Sequence, residues 1–244
     1  MHRALHRTHK DWDAQDMRNM GGLRSYMPIT CVTMWLATLA IAGIWPFAGF
    51  FSKDEIIWMT GAMAGAEQAP YSALYTVYWV LALAAAVLTA FYMTRLMVMT
   101  FHGNNRTGSK EAEHLQEAPR TMWIPLAILA VLSVFGGWVN VTNDLRDSIL
   151  GGFGLLPMDE WLHHWLEPVT EAAHAIQETN LGHVALSAPF GGGEVAWGLI
   201  STFLALVVVV ATVRFLGKRE VLVAVDDVEP KGFARVLYNK WYVD

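Results

Sequence analysis

Apolar residues in this chain fall into four long blocks separated by polar connectors. Three blocks are simple: about Tyr75 to Thr100, Trp123 to Val141, and Val195 to Leu216. Each is long enough to cross a hydrocarbon layer roughly 30 Å thick at about 1.5 Å of helix rise per residue. The remaining block, 28–66, is too long for one straight crossing, and Gly43, Pro46 and Gly49 interrupt it. Its pattern fits either one broken helix or a tight hairpin of two.

The distribution of Lys and Arg separates these alternatives. If block 28–66 crosses once, segments 1–27, 102–120 and 217–244 share one side and hold 13 of the 17 basic residues. The opposite side then holds only Arg146, while Arg95 and Arg214 sit at helix ends from which long side chains snorkel outward. A hairpin would place Arg106, Lys110 and Arg120 opposite the basic N-terminal segment, against the positive-inside bias. The expectation is an all-α, polytopic membrane bundle with about four crossings, the first a broken helix, and both ends cytoplasmic at a bacterial-type inner membrane.

The corresponding layout is a cytoplasmic segment 1–27, the broken helix 28–66, a span 75–100, a cytoplasmic loop 101–122, a span 123–141, an outer loop 142–194, a span 195–216 and a cytoplasmic tail 217–244. The first 27 residues contain five basic side chains and lack the apolar core of a cleavable signal, so insertion is expected to rely on the internal helices.

With 54% hydrophobic and only 16% charged residues, composition excludes an ordinary soluble domain. The single cysteine, Cys31, lies within an apolar block and offers neither a disulfide nor a thiolate cluster. No GxGxxG or Walker pattern accompanies Gly191-Gly192-Gly193, so no nucleotide or redox cofactor, metal or nucleic acid is expected to bind.

Chemistry concentrates at Ser52-Lys53-Asp54-Glu55, just after the Gly43 to Gly49 interruption. A lysine near a bilayer centre costs roughly 2.5 to 3.5 kcal/mol on insertion scales, and such residues mark ion or proton paths. Broken membrane helices surround such paths in transporters because their unpaired backbone groups need polar company. Asp54 and Glu55 point about 100° apart on a helix, and the strongest partner of Lys53 is expected on another helix. The competing reading makes these residues a headgroup anchor at the outer end of the span.

These residues resemble the antiporter-like, proton-translocating L subunit of respiratory complex I, called subunit 5 in mitochondria. The resemblance runs through Gln15 to Leu23, Met27-Pro28, Phe47 to Ile56, Leu88 to Arg95, Thr100 to Gly103, Leu132 to Gly137, Trp165 to Val169 and Tyr238 to Asp244. It implies that Lys53 is the terminal lysine of a buried protonatable chain, passing protons toward the outer exit. Asp54 is then the acceptor or modulator, with Ser52 and Glu55 as further candidates.

The family has more helices before this region, followed at the other end by a lateral helix and an anchor. The resemblance therefore implies a C-terminal piece, truncated before the lateral helix and supplying the outward half-path. Its implied partners are other membrane-arm subunits of the NADH-quinone oxidoreductase, the lipid bilayer and, if the subunit is split, a separate chain carrying the missing helices. Redox chemistry is not expected in this chain itself. Trp45-Pro46 departs from the family's usual two prolines. Rival readings are the large subunit of a Mrp-type Na+/H+ antiporter and a non-transporting structural or assembly fragment.

Several histidines remain. His2, His6 and His9 recur at helical spacing, which suits either a cytoplasmic helix end or a relay, with His2 matched by the resemblance to the preceding family helix. His102 is either interfacial or near proton uptake. His163, His164, His174 and His183 occupy the outer loop. There Trp161, Trp165, Val169, Ala172 and Ile176 share one face of an expected amphipathic surface helix.

Overall fold

Two short 3-10 turns, Met17–Asn19 and Leu23–Ser25, lead into helix α1, Pro28–Ala42. This computed structural model describes residues 16–66, 71–108, 112–140, 165–171, 193–217, 231–232 and 235–236. After α1 come α2, Ala48–Gly65; α3, Ser72–Phe101; α4, Arg120–Phe135; and α5, Glu194–Gly217. A 3-10 segment, Gly136–Asn140, extends α4.

Local chemistry explains both ends of α1. Pro28 stands in its first turn, where a missing N–H costs nothing. Met27 supplies no side-chain cap, and Glu117 from the distant 112–119 connector takes that role. Its carboxylate accepts from Ile29 N–H at 2.7 Å, Thr30 N–H at 3.4 Å and the Thr30 hydroxyl at 2.6 Å. At the other end Gly43 adopts φ 78°, and the Gly43 and Ile44 amides donate to Ala40 and Leu39 carbonyls at 3.0 and 3.3 Å. This left-handed glycine closure stops the helix.

α1 and α2 follow one another along α3 instead of lying side by side. Starting from the C-terminal end of α3, Met97 and Phe101 pack with Met27 and Cys31. Ala90 packs with Ala42 and Ile44 at the interruption, and Leu83 to Val87 face Lys53, Asp54 and Ile57. Trp79 then shares a cavity with Trp58 and Gly61. The broken pair is therefore antiparallel to one continuous helix, and α5 closes the bundle by contacts of Ala205 and Val209 with the interruption.

Helices α3, α4 with its continuation, and α5 are each long and apolar enough to cross a membrane. At 15 residues α1 extends only about 22 Å and cannot cross a bilayer alone. Residues 165–171, in the stretch expected to form a surface helix, are helical, and Trp165 and Val169 are exposed. Trp161, Ala172, Ile176, His2, His6, His9, His163, His164, His174 and His183 lie outside the described residues.

Candidate functional site: an ionisable pair at a helix interruption

The link from α1 to α2 leaves backbone groups without helical partners, and neighbouring elements provide them. Trp45 N–H donates to Thr202 Oγ1 on α5 at 3.3 Å, and Pro46 C=O accepts the Trp138 indole N–H at 3.0 Å. The Trp45–Pro46 peptide bond is cis. Two glycines allow the close approaches on either side. A Cβ on Gly49 would collide with the Ala40 carbonyl oxygen, and one on Gly137 would collide with Phe51 and lie 2.7 Å from Ala48 Cα. Phe50 and Phe51 pack edge to face, with ring centroids 5.4 Å apart, and seal this side of the break with Trp138 and Val195.

Lys53 and Asp54 lie just beyond the interruption on α2. The lysine stem passes over Gly43, where an added Cβ would be 3.1 Å from Lys53 Cδ, so the left-handed glycine also clears its path. Lys53 is half-buried, whereas Asp54 is 7% exposed and is the buried carboxylate among the described residues. Both line one cavity of about 20 Å³, room for about one water, bounded by Ala86 and Val87 of α3 and by Ser201 and Ala205 of α5.

Asp54 makes a hydrogen bond to another helix. The Ser201 hydroxyl donates to Asp54 Oδ1 at 2.5 Å, with Gly198 C=O as its other acceptor at 3.0 Å. The second carboxylate oxygen lies over Gly198, where a Cβ would sit 2.5 Å from Oδ2. Glu55 is half-buried, and Ser52 faces outward on the exposed side of α2; neither lines the Lys53–Asp54 cavity.

His102 caps the C-terminal end of α3, about four turns beyond the Leu83 to Val87 segment that faces the pair. Its Nε2 accepts from Trp35 Nε1–H at 3.1 Å, and its carbonyl accepts from Gly22 N–H at 3.1 Å. Burial, then the positive field of Arg24, holds this imidazole below its ordinary range. Arg106 completes the corner by donating to Arg18 C=O at 2.9 Å and Met99 C=O at 2.8 Å. The corner therefore joins residues 16–26 to the end of α3, away from the Lys53–Asp54 pair.

Sequence reasoning missed Ser201, Gly198, Thr202 and Trp138. A signal for the first two was present: Gly198, Ser201 and Ala205 form a small-residue stripe at spacings of three and four along the last apolar block. Such stripes mark close helix packing in membranes.

Together, the apolar helices and the interrupted helix pair define an all-α, polytopic membrane protein with Lys53 and Asp54 lining a cavity beside the break. Residues 2–68 match the family model described as NADH:quinone oxidoreductase/Mrp antiporter, transmembrane. Subunit L of the NADH-quinone oxidoreductase from Mycobacterium tuberculosis is 41% identical over 203 residues, covering 82% of this chain and 28% of that protein. Chain 5 of the NAD(P)H-quinone oxidoreductase from Picosynechococcus sp. is 34% identical over 256 residues, covering 95% of this chain and 32% of that protein. Subunit L from Rhodobacter capsulatus is 37% identical over 163 residues, covering 62% of this chain and 21% of that protein. The chain belongs to the family of these L and chain 5 subunits, and spans less than a third of the length of each of these relatives.

Proposed function

We propose that this chain forms part of a proton path in the membrane arm of a quinone-reducing complex, with Lys53 and Asp54 as its proton carriers. One observation carries the reading: an amine and a buried carboxylate line the same water-sized cavity, beside a helix interruption and within apolar helices. A proton leaving the Lys53 ammonium for the Asp54 carboxylate neutralises both groups, and the reverse transfer restores both charges. Apolar walls make the balance between these states sensitive to nearby charge. Ser52 and Glu55 are secondary candidates on the same helix, while His102 is a candidate on the uptake side.

In this reading the chain crosses the membrane four times, with α1 and α2 forming one interrupted crossing and both ends on the cytoplasmic side of an inner membrane. Electron transfer belongs to other subunits. The partners are further membrane-arm subunits, surrounding lipid and, if the subunit is split, a chain bearing the remaining helices of the family. The family model also includes Mrp antiporters; the identities to L and chain 5 subunits support the quinone-linked reading.

Lys53→Ala tests this function in the assembled complex. The variant is expected to assemble and transfer electrons to quinone with proton translocation lost. Translocation per electron equal to that of the unmodified complex overturns the assignment.

A further inference from the structure

Asp54 borders a second cavity on the side away from Lys53. This cavity, also about 20 Å³, is bounded by Trp58 and Gly61 of α2, Trp79 of α3, and Trp197 and Ser201 of α5. Gly61 follows Lys53 by about two turns, and Trp79 and Trp197 each precede the first-cavity residues Val87 and Ala205 by a similar distance. The second cavity therefore lies toward the end of the bundle where α2 stops and α3 and α5 begin. Asp54 and Ser201 line both cavities, together with Ile57, Leu83 and Leu204.

One polar group in its wall lacks compensation. Trp197 Nε1 is buried and has no hydrogen-bond partner among the described residues. Trp79 packs against the Trp197 ring edge to face, with centroids 5.5 Å apart and planes at 81°. An indole nitrogen only donates, so its partner must present a lone pair. The lone-pair-bearing side chains in the wall are the Asp54 carboxyl and the Ser201 hydroxyl, the latter four residues from Trp197 on the same face of α5, whereas the Trp58 and Trp79 indoles are donors only. A water needs room of this size and two to four polar contacts.

We propose that Trp197, Asp54 and Ser201 bind one water molecule, and that this water receives the proton from Asp54 on its way toward the α2 end of the bundle. The proposal rests on Lys53 and Asp54 being proton carriers. The Asp54 O–H bond breaks as an O–H bond forms on the water, while one of the water's original O–H bonds breaks toward solvent water at the α2 end, leaving a carboxylate and a neutral water. The carboxylate is met by the Ser201 hydrogen, and the water oxygen keeps a lone pair for Trp197. Trp197 holds the water by its oxygen and leaves the Asp54 side open to the transfer. It is a positioning residue.

The test combines high-resolution imaging of the assembled complex with proton translocation in sealed vesicles for the unmodified chain, Trp197→Phe and Lys53→Ala. Trp197→Phe retains a packed ring and removes the N–H. One ordered water bridging Trp197 Nε1 and Asp54 is expected in the unmodified protein and absent in Trp197→Phe. The rate of proton translocation should fall about fivefold in that variant, the equivalent of roughly 1 kcal/mol. A dry cavity in the unmodified complex overturns the proposal without any variant having to fold. Loss of translocation in Lys53→Ala with none in Trp197→Phe overturns the water site alone. Unchanged translocation in Lys53→Ala overturns the underlying functional reading.

Discussion

Ser201 has one hydroxyl hydrogen and two acceptors within reach, Asp54 Oδ1 at 2.5 Å and Gly198 C=O at 3.0 Å. When Asp54 is a carboxylate, the hydrogen belongs on Asp54, since a charged acceptor forms the stronger bond. When Asp54 carries a proton, it can donate to Ser201 while the Ser201 hydrogen turns to Gly198. Hydrogen-bonding capacity is thus conserved through the charge change by rotation of one O–H. Ser201→Ala removes this exchange and is expected to reduce the rate of proton translocation by about fivefold, on the scale of one neutral hydrogen bond; Ser201→Thr retains most activity, and equal rates in both variants would refute the role. The residue-level site was only partly legible. Lys53 and Asp54 stood out because charges are rare in apolar blocks, whereas Ser201 is an ordinary membrane-helix residue whose importance comes from a contact between segments 147 residues apart in sequence.

At the scale of elements, the chain uses remote side chains to finish its helix ends. Glu117→Ala should destabilise the region around α1 by about 1 kcal/mol, the usual cost of losing an N-terminal cap, and Glu117→Gln by less; thermal unfolding of the purified assembly measures both. Gly49→Ala should prevent stable assembly because its Cβ would overlap the Ala40 carbonyl, while Gly136→Ala, whose Cβ meets no described atom within 4 Å, is the matched control. A normal assembly yield for Gly49→Ala would contradict the close packing of α1 and α2. Sequence pattern indicated the interruption through Gly43, Pro46 and Gly49, but gave no means of assigning Thr202 and Trp138 to its loose backbone groups. Those bonds depend on which distant helices meet the break.

The His102–Trp35 bond has a pH dependence that follows from its hydrogen count. Protonated imidazole cannot accept from an indole, and the folded imidazole is held below its ordinary value of 6.5, so the bond is fully present above that pH and is lost as pH falls through the lower folded value. The melting-temperature difference between the unmodified chain and Trp35→Phe should therefore shrink on acidification to about pH 5; a constant difference would rule out the neutral-imidazole bond.

For the whole molecule, the apolar outer faces of α3, α4 and α5 fit surroundings of lipid or further helices, and topology can be tested directly. In the four-crossing arrangement Ser25→Cys and Tyr71→Cys, which flank the interrupted crossing, should label from opposite sides of sealed vesicles. Both native positions are exposed, and the native Cys31 is buried and gives little background. Labelling from one side would exclude the interrupted crossing. The placement of α3 gives that interruption its mechanical character. One unbroken 30-residue rod touches α1 along one half and α2 along the other, so it acts as a splint across a fracture. The fracture supplies loose backbone ends and a lysine with a clear path, while the splint denies it the freedom of a joint. In the proposed path, protonation beside the break is therefore answered by turning hydroxyls and shifting water, with the helical frame held in place.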